Sequence, residues 1–116
     1  MKNNNPFLAG IPDCWYSGNN NDLWIEYKML TISTPRQVVI PHLSAQQMHW
    51  IDLRRKEGRE IWTVIGYKKG VVVYKTIEEM KKGLKPEQFI AQTISRKELA
   101  NEIDTYCGTA CTIYRE

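Results

Sequence analysis

The apolar positions of the chain change period several times, and each change marks an element. Residues 14–16 (Cys-Trp-Tyr) and 23–29 (Leu-Trp-Ile-Glu-Tyr-Lys-Met) are rich in aromatic and aliphatic side chains, which predicts two strands. Ser17-Gly18-Asn19-Asn20-Asn21-Asp22 between them has turn composition, so the pair reads as a hairpin. In the second strand Leu23, Ile25 and Tyr27 share one face and are expected to enter a core, while Glu26 and Lys28 share the other. That strand is apolar on one face and nearly so on the other, which suits a central position. Thr31 to Pro41 holds two prolines and a short Val38-Val39-Ile40 run, and reads as a loop with a brief edge strand.

A helical period takes over after Ser44. Ser44 and Gln47 have the spacing of a capping box, and Leu43 and Met48 that of a hydrophobic staple. Trp50, Ile51 and Leu53 continue the helix, and Gly58 is expected just past its end. Ile61 to Ile65 then reads as a strand, Lys68-Lys69-Gly70 as a hairpin turn and Val71 to Tyr74 as the return. Thr76 with Glu79, and Ser95 with Glu98, are two further capping boxes. They open helices that end near Gly83 and Gly108, with one more helical turn around Pro86. The order predicts one α/β (α+β) domain over residues 1–116, a mixed central sheet flanked by helices. Its core spans 8–75, a helical segment follows over 76–108, and the asparagine-rich start is expected to fray.

Composition refines this picture only slightly. A chain of 116 residues makes one domain with a small core. No apolar run reaches membrane-spanning length and the amino end lacks a signal-peptide pattern, so a cytoplasmic protein without a membrane partner is expected. Three cysteines, an odd number, are expected to be reduced thiols. Cys107 and Cys111 flank Gly108, and together with the distant Cys14 they lack the tight pairing of a zinc site. A net charge of +3 permits a polyanionic partner without requiring one.

The hairpin brings chemistry with it. A turn at residues 17–22 carries Asp13 back beside Glu26, with Lys28 on the same face. Two carboxylates and an ammonium together make a divalent-cation site with a group that can position water. Each residue also has a structural reading. Pro12-Asp13 is a common turn dipeptide, Glu26 and Lys28 are compatible with an ion pair on a solvated face, the capping box accounts for Gln47, and Trp50 suits a core. Arg54, Arg55, Lys56 and Arg59 at the end of the helix, Lys68 and Lys69 at the hairpin tip, and Arg36 in the loop are candidate contacts to DNA phosphates. The tail from Arg96 to Glu116 is mixed in charge and suits packing or dimerisation better than DNA.

Taken together, Gly10-x-Pro12-Asp13, Glu26-x-Lys28 and Gln47-x-x-Trp50 resemble the motifs of the PD-(D/E)XK nuclease superfamily. The nearest resemblance is to the VRR-NUC group, including its small stand-alone phage members, and it extends through the Ile61 to Tyr74 hairpin. The resemblance implies a restriction-endonuclease-like core and a magnesium-dependent deoxyribonuclease, with Asp13, Glu26, Lys28 and Gln47 catalytic. It implies Mg2+, replaceable by Mn2+, held by Asp13, Glu26 and the backbone carbonyl of Tyr27. Lys28 would orient the attacking water and stabilise developing charge, with Gln47 positioning that water or Lys28. It further implies a homodimer acting on branched DNA in the manner of a Holliday-junction resolvase, in a host's cytoplasm if phage-encoded. A sequence-specific homing or restriction-like endonuclease is the alternative, and an inactive DNA-binding module of the same fold is another. That last alternative is raised by one departure: many family members carry a further acid on a helix before Pro-Asp, and residues 1–12 contain none.

Overall fold

Strand formation follows the alternation of branched and aromatic residues, and a single crossover helix decides how the strands join. The computed structural model describes residues 12–108 and the strand 112–115. Strands β1 (Cys14–Ser17) and β2 (Asp22–Met29) form the expected antiparallel hairpin. Helix α1 (Ala45–Lys56) then crosses over, so that β3 (Glu60–Tyr67) runs parallel to β2. A two-residue turn at Lys68 and Lys69 returns the chain antiparallel as β4 (Gly70–Tyr74). Helices α2 (Ile77–Lys82), α3 (Pro86–Ala91) and α4 (Arg96–Cys107) follow, and β5 (Thr112–Arg115) closes the sheet beside β1. The five-stranded mixed sheet has the order β4-β3-β2-β1-β5, which makes β2 central as expected.

Helices cover both faces, giving three layers. Cys14, Tyr16, Leu23, Ile25, Trp62 and Val64 point to one side and pack with Leu99, Ile103 and Cys107 of α4. Ile61, Ile65, Tyr67, Val72 and Tyr74 point to the other and pack with Ile51 of α1, Met80 of α2 and Phe89 of α3. Leu23 and Ile25 thus enter the core, and Tyr27 packs half-buried against it. On the first of these faces the Tyr16 and Tyr27 hydroxyls meet at 2.6 Å and line a cavity of about 410 Å³ beneath α4. Burial, reinforced by the Tyr27 hydroxyl, pushes the Tyr16 phenol up from its ordinary range, so it stays neutral there.

The caps follow the sequence, with one difference. Ser44 and Gln47, and Ser95 and Glu98, form complete capping boxes. Thr76 caps α2 through its hydroxyl, but the Glu79 carboxylate accepts from the Lys75 N–H instead of the Thr76 N–H. The box is displaced by one residue. α1 ends where expected, with Gly58 just beyond at φ 84°, a backbone conformation that side chains rarely adopt. The loop after β2 contributes only an isolated bridge, in which Val39 and Leu84 exchange both backbone hydrogen bonds. The Tyr74 hydroxyl donates to the Val39 carbonyl at 2.7 Å and fixes the same point.

The expected division into a core over 8–75 and a helical segment over 76–108 is more entangled in the structure. α4 supplies part of one core, and β5 adds a fifth strand to the sheet. Residues 8–11 of the expected core, Gly10 of the first motif, the Asn3–Asn5 run and Cys111 lie outside the described residues.

Candidate active site

Register determines the site. β1 and β2 pair with Cys14 opposite Ile25 and Trp15 opposite Trp24. Continuing that register one step sets Asp13 directly across from Glu26, on the face covered by α1. The two residues grip each other's strands. The Asp13 N–H donates to Glu26 Oε1 at 3.2 Å, and the Tyr27 N–H donates to Asp13 Oδ2 at 3.2 Å. In an extended strand the N–H and C=O of one residue leave by the same edge, so the Tyr27 carbonyl is turned towards Asp13 as well.

Glu26 is 1% exposed, which removes the reading of Glu26 and Lys28 as an ion pair on a solvated face. It is the floor of the site. Burying a carboxylate is costly unless its oxygens are bonded, and here they are. Oε2 accepts from Gln47 Nε2 at 2.8 Å and lies 3.1 Å from Lys28 Nζ. Lys28 is half-buried beside it, and the i, i+2 spacing brings it to the same face as expected.

Gln47 closes the capping box, as its structural reading had it, and its amide makes a second bond besides. Its Oε1 accepts from the Ser44 N–H at 2.9 Å, closing the capping box, while Nε2 reaches Glu26. The two bonds together fix which end of the amide is which. Gln47→Glu keeps the acceptor for the cap but sets a second carboxylate against Glu26. Stability near neutral pH should fall by roughly 1–3 kcal/mol, read from urea denaturation. An unchanged midpoint would contradict the Gln47–Glu26 bond.

Thr63 went unnoticed in the sequence. It lies opposite Glu26 in the parallel β2–β3 register, is fully buried, and its Oγ1 has no hydrogen-bond partner. Only strand pairing could have found it, because nothing in Trp62-Thr63-Val64 signals polarity inside a core. Thr63→Val removes an unsatisfied hydroxyl at constant shape. The expected result is a thermal midpoint unchanged or raised, by up to about 1 kcal/mol of stability.

The candidate phosphate contacts divide between the two ends of β2. Arg36 in the loop after β2, and Lys68 and Lys69 in the β3–β4 turn, are exposed near the end that carries Lys28. The helix cluster sits at the other end. Arg55 donates to the carbonyl of Ile61, a residue paired with Trp24, and lies 3.7 Å from Glu60. Lys56 pairs with Asp52, and Arg54 and Arg59 both approach Glu57. These cations are largely used within the fold.

The donor set suits a hard divalent cation. Asp13, Glu26 and the Tyr27 carbonyl offer oxygens only, as magnesium prefers. The set is small: among the described residues, no group of three or more His, Cys, Asp or Glu side chains is placed to hold a metal. A cation bound here would keep several waters. No helix of the described residues is long and apolar enough to cross a membrane. Comparison with known proteins finds no matching family model, no similar curated protein and no similar solved structure, so the functional reading rests on this site's own chemistry.

Proposed function

We propose that the chain is a metal-dependent endonuclease hydrolysing DNA phosphodiester bonds, with a restriction-endonuclease-like core and a preference for branched DNA. One observation carries the reading: Asp13, Lys28 and Gln47, from two strands and a helix, converge on the Glu26 carboxylate. An ordinary surface ion pair does not require a buried glutamate braced by three donors. The mixed sheet flanked by helices that gathers them is compatible with the core that the PD-(D/E)XK resemblance implies.

Asp13, Glu26 and the Tyr27 carbonyl would hold Mg2+ or Mn2+. When bound, the ion lowers the pKa of a coordinated water and offsets charge on the phosphate. The protein groups have their own tasks. Lys28 presents an ammonium at the mouth of the site, where it orients the attacking water and stabilises negative charge on the phosphate oxygens. The water oxygen bonds to phosphorus and passes a proton to solvent, the bond to the leaving oxygen breaks, and that oxygen takes up a proton from solvent. Gln47 and the Asp13 N–H hold the Glu26 carboxylate in its orientation. Exposed Lys68, Lys69 and Arg36 supply phosphate contacts at the same end. A homodimer would present two such sites to two strands of a junction.

Purified protein incubated with a four-way junction and with linear duplex of the same sequence, in Mg2+ or Mn2+, tests the proposal. Cuts confined to the junction are expected. One repeated cut on long duplex DNA would instead favour a sequence-specific enzyme. No cleavage of either, with no metal binding by calorimetry, would leave a DNA-binding module.

A further inference from the structure

Next to the row of polar groups runs a row of tryptophans. Trp15 follows Asp13 by two positions and Trp24 precedes Glu26 by two, so strand alternation puts both on the acid-bearing face. They are register partners, and their rings stack at 5.8 Å with 28° between planes. Trp50, three residues beyond Gln47 on α1, meets Trp24 edge-on at 5.3 Å and 71°. Arg54, one turn further along the helix, holds its guanidinium carbon 5.5 Å from the centre of the Trp50 ring. Two rows therefore lie side by side, Asp13-Glu26-Gln47 and Trp15-Trp24-Trp50, about 7 Å apart along the strands.

Core packing explains part of this row. Trp24 and Trp50 lean on the α1-side core, and Trp15 stacks on Trp24 at its outer side. All three tryptophans are only partly buried. The Nε of Arg54 is buried without a hydrogen-bond partner, so its guanidinium is held against the aromatic row at the expense of a donor.

We propose that this row is a stacking platform for unpaired nucleobases, belonging to the strand whose phosphate meets the adjoining acids and Lys28. Indole faces accept any base, because every base has a π face. A guanidinium beside the ring adds cation–π attraction. Bases within a duplex have their faces covered by their neighbours, so the platform selects nucleic acid that is single-stranded near the scissile bond. It rests on the phosphodiester reading of the site and gives a physical basis for preferring branches over plain duplex.

The experiment measures binding without cleavage, in EDTA, by tryptophan fluorescence and by anisotropy of labelled strands. The full-length protein is titrated with an oligothymidylate and with an abasic strand of equal length, which carries the same phosphates and no bases. Wild type should bind the thymidylate about tenfold or more tightly than the abasic strand, with quenching of its fluorescence. Trp15→Leu should lose most of that ratio while binding the abasic strand as before, and Trp15→Phe should keep most of it. Equal affinities of the wild type for both strands would overturn the proposal, as would a folded Trp15→Leu protein with an undiminished ratio. If circular dichroism shows that Trp15→Leu does not fold, the wild-type ratio and Trp15→Phe decide alone. A parallel cleavage assay in Mg2+ separates the two readings. Base-dependent binding without cleavage would remove the nuclease and leave the platform, and cleavage without base-dependent binding would do the reverse.

Discussion

Asp13→Asn should abolish cleavage of branched DNA, and Lys28→Ala should lower it by about 10²–10³-fold, the usual cost of losing one preorganised charge-stabilising group. Both variants should still fold. Asn keeps the size of Asp13 and an oxygen that can accept from the Tyr27 N–H, but it removes the charge that would hold a divalent cation. Lys28 is part-exposed, so its truncation leaves no large cavity. Glu26 is the less clean test. Its replacement leaves Gln47 Nε2, Lys28 Nζ and the Asp13 N–H without their shared acceptor, so stability and activity would fall together. The measurement is junction cleavage at matched protein concentration, with thermal melts as the control for folding. Wild-type rates in Asp13→Asn or Lys28→Ala would reduce the cluster to a structural ion-pair network.

Phe89→Ala should be among the most damaging single changes to stability. α3 has six residues, far too few to persist as an isolated helix. Its place depends on Phe89, which is fully buried with its ring centre 5.0 Å from that of Tyr67. Truncation at such a site costs about 3–5 kcal/mol, a large share of the roughly 5–15 kcal/mol that holds a domain folded. The melting temperature should fall by about 10–20 °C. Loss should be cooperative, because the Thr93 hydroxyl joins α3 to β3, donating to the Phe89 carbonyl and accepting from the Tyr67 hydroxyl. A drop of a degree or two would mean that α3 is anchored by something other than this ring.

Much of the architecture was legible because local signals and global pairing agree. Alternation marked β2 and β3, capping residues fixed the starts of α1, α2 and α4, and glycine marked the end of α1. β5 escaped because Thr112–Arg115 is four residues long and its stability comes from the edge of β1, a partner nearly the whole chain away. The site was legible to the extent that it is periodic. Glu26 and Lys28 share a face by alternation alone, and Asp13 joins them through the hairpin. The burial of Glu26 was not legible, since it depends on α1 lying over β2. The second bond of Gln47 depends on that packing too. Thr63 and the tryptophan row belong to the same category: residues two or many positions away become neighbours only through strand register.

The hairpin that carries Asp13 and Glu26 is closed from an unexpected direction. The N–H groups of Asn20 and Asn21 both donate to the Cys107 carbonyl, at 2.7 and 3.2 Å, and the Asn21 side chain bonds the carbonyl of Tyr106. A β-carbon on Gly18 would collide with that same Cys107 oxygen, so only glycine allows the approach. The tip of the first hairpin is therefore the cap of the last helix. The turn between the two carboxylates has its partner only when α4 is in place. Loosening the end of α4 should therefore loosen the hairpin that sets Asp13 beside Glu26.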